Sequence, residues 1–438
     1  MSGTRRVPLL LLALTVACGA RAAEAAAPRK RPSAKAPAAQ PDSSNAGRKG
    51  TYVVQTANAR YSYYVCVPET YSETNPAGLH LFFHGEGNAA TAPAFAQWSK
   101  HFLEPYNLIG INMQYDVPYE EAMADAAGRA AVAAEAIQRT ARDYKVILGR
   151  GVVASFGGGG AIHEQLMARL GRSIPFNHVS LYGSYYTQPP PPAAPPMSWF
   201  MSVGTGAWKV RLFEVGPAQV RRAAVLFANA ARGGCADVYL KIYKGGHAMP
   251  DGDVGDAAAQ FHRSDIAFAP FLYEGDYADR QVLKAVQSAN RREFAKAAAA
   301  CEALAAGEKA EGDAQAAAAA VKAKIDARIE AMIALINDLA KTDPPLAASY
   351  GAVFAKQLAG HPRKKDLDAA LAAARQVDGA RAAGAAFQQF CVSFKGFIQG
   401  RALNDAAVPI LEAGVRSTPD TSLLGRMSRE YLELRSGF

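Results

Sequence analysis

An α/β fold with a mostly parallel sheet, helices on both faces and an all-α region after it is what this 438-residue sequence predicts. Three observations predict it. Short apolar runs alternate with helix-like runs from Thr51 to Leu272, the signature of strands joined by crossover helices. Strand signals stop near Asp276, and alanine dominates from there on. Half of the residues are apolar, enough to fill sizeable cores in two or three domains.

The elements follow in order. Tyr52–Val54 and Tyr61–Val67 are β-rich runs separated by a polar turn, which predicts an opening hairpin and an antiparallel edge. Leu79–Phe83 is a short apolar strand that stops at His84-Gly85-Glu86-Gly87. Helix-like residues 92–103 lead to a strand at Asn107–Met113, and residues 119–143 are helical by composition. Then come strand Gly151–Ala154, the turn Ser155–Gly160, helix Ala161–Leu170 and strand Asn177–Tyr182. A proline run (Pro189–Pro192, Pro195, Pro196) reads as a stiff crossover, or as a roof over the sheet's ligand-binding edge. Strand Trp199–Val203, helix Val220–Ala231, strand Asp237–Tyr243 and His247 complete this region. Beyond it, helices are predicted near 278–306, 312–341, 345–359, 365–376, 380–398, 404–415 and 421–435. Ile325, Ile329, Met332, Ile333 and Ile336 recur at three- and four-residue spacing, one apolar stripe.

Residues 1–50 carry nine basic side chains against Glu24 and Asp42, and so hold +7 of the formal net charge of +9. The remainder is an ordinary surface, which argues against nucleic-acid binding. Arg5 and Arg6 precede the short apolar core Val7–Ala17, and Ala20-Arg21-Ala22 offers small residues for cleavage, so residues 1–22 read as an export signal. Thr15-Val16-Ala17-Cys18 also resembles a lipoprotein box with Cys18 as the lipidated residue. Residues 23–50 are too poor in large apolar side chains to order themselves and read as a tether. The expected product is exported, periplasmic or extracellular, without a transmembrane helix. Cys66, Cys235, Cys301 and Cys391 allow bridges 66–235 and 301–391, or stay as buried thiols. No ligand spacing points to a metal, and no cofactor is expected.

The His84-Gly85 turn after an apolar strand, the glycine turn at 155–160 and Gly245-Gly246-His247 after the last strand occur in an order that resembles the α/β-hydrolases, in particular the secreted esterase and poly(hydroxyalkanoate)-depolymerase-like branch. The resemblance covers roughly residues 51–272, within a domain at 51–275 that is followed by a helical domain at 276–438. It implies a nucleophile at the apex of a strand–turn–helix elbow, G-x-S-x-G, where the residues two before and two after the apex must be small. With Ser155 at the apex, the residue two before it is the β-branched Val153. With Gly157 at the apex, the flanking residues are Ser155 and Gly159, both small. On that register the nucleophile position holds glycine. The acid position, after Val203-Gly204-Thr205-Gly206, holds Ala207. Lys244-Gly245-Gly246-His247 resembles the loop of the catalytic base. Backbone N–H groups near Gly85 and Gly158, in a loop with His84 and Glu86, match the oxyanion donors and could bind a carbonyl or carboxylate.

Two functions follow from these expectations. One is a non-catalytic binding or scaffold protein on a hydrolase fold, with a small carbonyl- or carboxylate-bearing ligand. The other is an active carboxylester hydrolase with Ser155 as nucleophile, His247 as base and Glu214, or Asp251 after the histidine, as acid. The helical domain reads as a module that contacts a protein or envelope partner, or as a passive spacer.

Overall fold

The computed structural model describes residues 45–56, 60–85, 95–115, 121, 124–184, 197–205, 209–210, 213–214, 223, 227, 237–307, 312–375, 398–399, 402–403, 405–417 and 422–433. An eight-stranded sheet forms its centre. The strands are β1 (Gly50–Gln55), β2 (Tyr61–Val67), β3 (Ala77–Phe83), β4 (Leu108–Tyr115), β5 (Val146–Phe156), β6 (His178–Tyr182), β7 (Ser198–Gly204) and β8 (Val238–Tyr243), in the spatial order 1-2-4-3-5-6-7-8. β1 and β2 pair antiparallel, as does β2 with β4, and every other pairing is parallel. The chain has the mostly parallel α/β sheet with helices on both faces, and helices after it, that the sequence predicts.

Burial explains the strand sequences. Every residue of β3, β6 and β7 is buried, as a parallel sheet covered on both faces requires. β1 alternates, with Tyr52 and Val54 inward and Val53 exposed, as an antiparallel edge does. Helices α1 (Ala126–Asp143) and α2 (Gly159–Leu170) pack together on one face, where Ser155 meets His163 of α2. A helical passage with a π turn at Ser99–Leu103 and helix α3 (Asp251–Phe268) cover the other, where His80 meets Trp98 and His178 meets Phe261.

The sequence reading leaves 251–268 unassigned, yet α3 is the main cover of that face. Its inward stripe is Val254, Ala257, Ala258 and Phe261, and alanines carry too little hydrophobicity to announce it. The helix expected at 278–306 is two, α4 (Arg280–Asn290) and α5 (Phe294–Ala306). Arg292 between them has φ +66°. The break turns its guanidinium onto the carbonyls of Asp265 and Ala269. The helix expected at 380–398 lies almost wholly outside the described residues, and its last residue, Ile398, belongs instead to a two-residue ribbon, Ile398–Gln399 against Ala402–Leu403. The proline run and most of the helix expected at 220–231 are likewise outside them. Cys66 and Cys301 are buried free thiols, so neither of the two expected bridges is formed; Cys18, Cys235 and Cys391 lie outside the described residues.

The later helices are α6 (Gly312–Thr342), α7 (Pro344–Gln357), α8 (Lys364–Arg375), α9 (Val408–Ser417) and α10 (Leu423–Leu432). The stripe Ile325, Ile329, Met332, Ile333 and Ile336 is buried, and sheet and helices share one continuous hydrophobic core. They grip the sheet domain through α3. The last carbonyls of a helix lack intrahelical partners and carry its negative dipole end. Here Arg292 and Arg328 donate to Asp265 O, and Gln357 Nε2 donates to Ala267 O at 2.9 Å. Below them the buried Asp237, at the start of β8, accepts from Arg263 Nε at 2.7 Å, Gln260 Nε2 at 2.7 Å and Tyr350 OH at 2.9 Å. α10 closes the outer edge of β8, where the Tyr431 hydroxyl donates to Leu240 O.

Candidate functional site

The site lies at the carboxyl ends of β3, β5, β6 and β8. β5 ends at Phe156, Gly157 follows with φ +52°, and α2 begins at Gly159. A left-handed residue between strand and helix makes the sharp turn, and glycine adopts it without a side-chain penalty. The Gly157 N–H donates to Tyr182 O at 3.1 Å and its carbonyl accepts from Ser184 Oγ at 2.8 Å, which ties the turn to the end of β6.

His247 faces this turn. A Cβ added at Gly157 would fall 2.6 Å from His247 Nε2 and 3.2 Å from Cε1, far inside contact distance. Gly183, with φ +55°, closes on the ring from β6: a Cβ there would lie 2.7 Å from Nδ1 and 2.8 Å from Cε1. The Phe156 ring stacks on the imidazole at 4.4 Å and 17°. The imidazole thus fills a slot whose walls are two glycines and a phenyl ring. Burial lowers its pKa below the ordinary histidine value.

Ser155 is elsewhere. Side chains alternate along a strand, so with Phe156 on the His247 ring, Ser155 points to the other face. There it is fully buried between Phe83 and Leu181 of the neighbouring strands, and its Oγ shares a 3.2 Å hydrogen bond with His163 Nδ1. His163 is itself fully buried, which takes its pKa down to about 3. The Ser155 hydroxyl therefore braces β5 against α2 behind the turn.

The loop at His84-Gly85 is brought to the turn. Gly85 Cα stands 3.7 Å from the Cβ position at Gly157, and a Cβ on Gly85 would be 3.5 Å from Gly158 N. His84 is buried, with Nδ1 3.2 Å from Gly85 O; burial, then the charge of Arg129, lowers its pKa to about 4. Glu86 and Ala207 lie outside the described residues. Glu214 pairs with Lys209 in a two-residue ribbon, and nothing of its side chain is described. Asp251 is exposed and turned to the helical passage before β4, 3.1 Å from His101 Nε2 and 3.3 Å from Lys100 Nζ; those two groups hold its pKa below the usual carboxylate range. Sequence reasoning missed Phe156, Gly183 and His163. The only signal for Gly183 was a glycine directly after a buried strand.

Among the described residues no cluster of His, Cys, Asp and Glu could hold a metal ion, and no helix is long and apolar enough to cross a membrane. No family model and no curated protein matches the chain. Solved structures do. A poly(3-hydroxybutyrate) depolymerase, LpqC, from Bordetella parapertussis is 15% identical, with 55% of this chain and 94% of that one covered and a TM-score of 0.36. An IroE-like serine hydrolase from Shewanella oneidensis is 10% identical over 63% of this chain and 98% of that one, with a TM-score of 0.39. A thermostable esterase is 13% identical over 45% of this chain, with a TM-score of 0.33, and the chain spans about half of its length, 54%.

Proposed function

We propose that this chain is an exported α/β-hydrolase-fold protein that has lost serine-esterase chemistry and uses the retained pocket to bind a small carbonyl- or carboxylate-bearing ligand. The observation that carries the reading is the meeting of Gly157 and His247. Acyl transfer by the triad mechanism needs an oxygen at the turn, with the histidine poised to take its proton. Glycine supplies none, and Ser155 spends its hydroxyl on His163, on the far face of the sheet. The neighbouring N–H groups at Gly85 and Gly158 and the imidazole remain as hydrogen-bonding groups for a ligand oxygen.

The grip of Arg292, Arg328, Gln357 and Tyr350 on α3 and β8 supports a bracing role for the helical region. Export rests on residues 1–22.

A fluorophosphonate probe tests the reading. No labelling of the full chain is expected, and acetate or butyrate should perturb the NMR signals of His247. Labelling that Ser155→Ala abolishes would sink the proposal.

A further inference from the structure

The last strand of the sheet and the last described helix meet through an unbalanced set of charges. On α10, Glu430 lies against β8: the Tyr239 hydroxyl donates to Glu430 Oε1 at 3.0 Å. Its other oxygen, Oε2, is buried with no hydrogen-bond partner among the described residues. Two cations stand nearby, and both are committed. Lys241 Nζ of β8 is 2.9 Å from Asp253 and 3.1 Å from Asp256, both on α3. Arg426 of α10 is 2.9 Å from Asp256, with its guanidinium over the Tyr239 ring. Three carboxylates thus share two cations, and Glu430 is the one with no ion pair among the described residues. A half-buried carboxyl with one oxygen fully buried and only one hydrogen bond favours the neutral form.

β8 runs directly into the loop that holds His247. The Tyr243 hydroxyl, at the end of the strand, donates to Gly246 O at 3.2 Å and to Ala248 O at 3.0 Å. The position of β8 therefore sets the position of the imidazole.

We propose that α10 is a pH-sensitive latch on β8, closed when Glu430 carries a proton, and that opening it loosens the strand that presents His247. The proposal stands apart from the ligand reading of the site. Burial, offset in part by Tyr239, Lys241 and Arg426, raises the Glu430 pKa from 4.5 to about 7. The folded value lies above the unfolded one. The latch is therefore fully closed below about pH 4.5, weakens as pH rises to about 7 and stays constant above that. Opening should become about tenfold more frequent per pH unit inside that window, on the order of 10²-fold in all.

Hydrogen–deuterium exchange of the full chain from pH 5.5 to 8.5, corrected for intrinsic rates and referenced to α2, reads the opening directly. Protection of 423–432 and of 238–250 should fall together as pH rises, and Glu430→Gln should flatten both profiles. A profile that is flat in the wild type, or unchanged in Glu430→Gln, would overturn the latch. Should the variant fail to fold, the 13C shift of the Glu430 carboxyl in the wild-type chain decides: titration above pH 6 supports the latch, and titration near 4.5 overturns it.

Discussion

His247 Nε2 occupies the space that the first side-chain atom of any residue at Gly157 would need, 2.6 Å from that atom's position. The glycine at the turn and the imidazole against it form one packing arrangement.

Placing a hydroxyl at this turn is therefore expected to fail. Gly157→Ser puts a Cβ against the ring and a side chain on a left-handed residue, which costs about 1–2 kcal/mol for the conformation alone. The expected outcome is a chain destabilised by at least that much in urea titration, with no hydrolysis of p-nitrophenyl butyrate above the wild-type background. Turnover in this single variant would refute the packing account.

Ser155→Ala separates bracing from catalysis. Removing the hydroxyl leaves the buried His163 Nδ1 without this partner, at a cost of about 1–3 kcal/mol. Denaturation midpoints should drop accordingly, while the response of His247 to acetate stays as in the wild type.

Acid should unfold the protein well before its carboxylates are neutralised. Burial lowers the pKa of His80, His163 and His178 to about 3. Their folded values lie below the unfolded one near 6.5, so their contribution is complete above pH 6.5 and is lost as pH falls towards 3. Each histidine adds a slope of about 1.4 kcal/mol per pH unit inside that window. Urea midpoints should begin to fall below pH 6.5, and the circular dichroism signal should be lost cooperatively only at lower pH, once that fall has consumed the net stability. His178→Gln should lower that slope if the substituted chain still folds; an unchanged slope would refute its share.

The grip of the helical region on the sheet has a sensitive point at Asp237. Asp237→Ala strips the buried Arg263 of its carboxylate partner, a change that costs about 3–5 kcal/mol. Tyr350→Phe removes one hydrogen bond to the same carboxylate and should cost about 0.5–1.5 kcal/mol. Urea midpoints of the two variants check the order; a Tyr350→Phe loss equal to that of Asp237→Ala would contradict it.

Much of this was legible in the sequence, and the reasons are specific. Buried parallel strands are largely apolar runs, so β3, β6 and β7 stand out. The bulk of Val153 points to a turn at Gly157, and Gly157 has φ +52°. α3 went unread because its inward face is largely alanine. The division of 278–306 was hidden because its cause is distant: Arg292 turns aside to reach carbonyls 23 and 27 residues earlier in the chain. Phe156 and Gly183 were missed for a similar reason. Their meaning comes from the ring of His247, and one-dimensional spacing does not show which side chains converge at the end of a sheet.

The bond from the Tyr431 hydroxyl to Leu240 O bears on synthesis as well as on stability. The strand emerges from the ribosome about 190 residues before the helix that covers it. At roughly 5–20 residues per second its edge stays open for about 10–40 seconds. An open edge invites pairing with other chains. Products of premature termination between the two would keep that edge permanently, so truncated chains are the ones expected to seed aggregates.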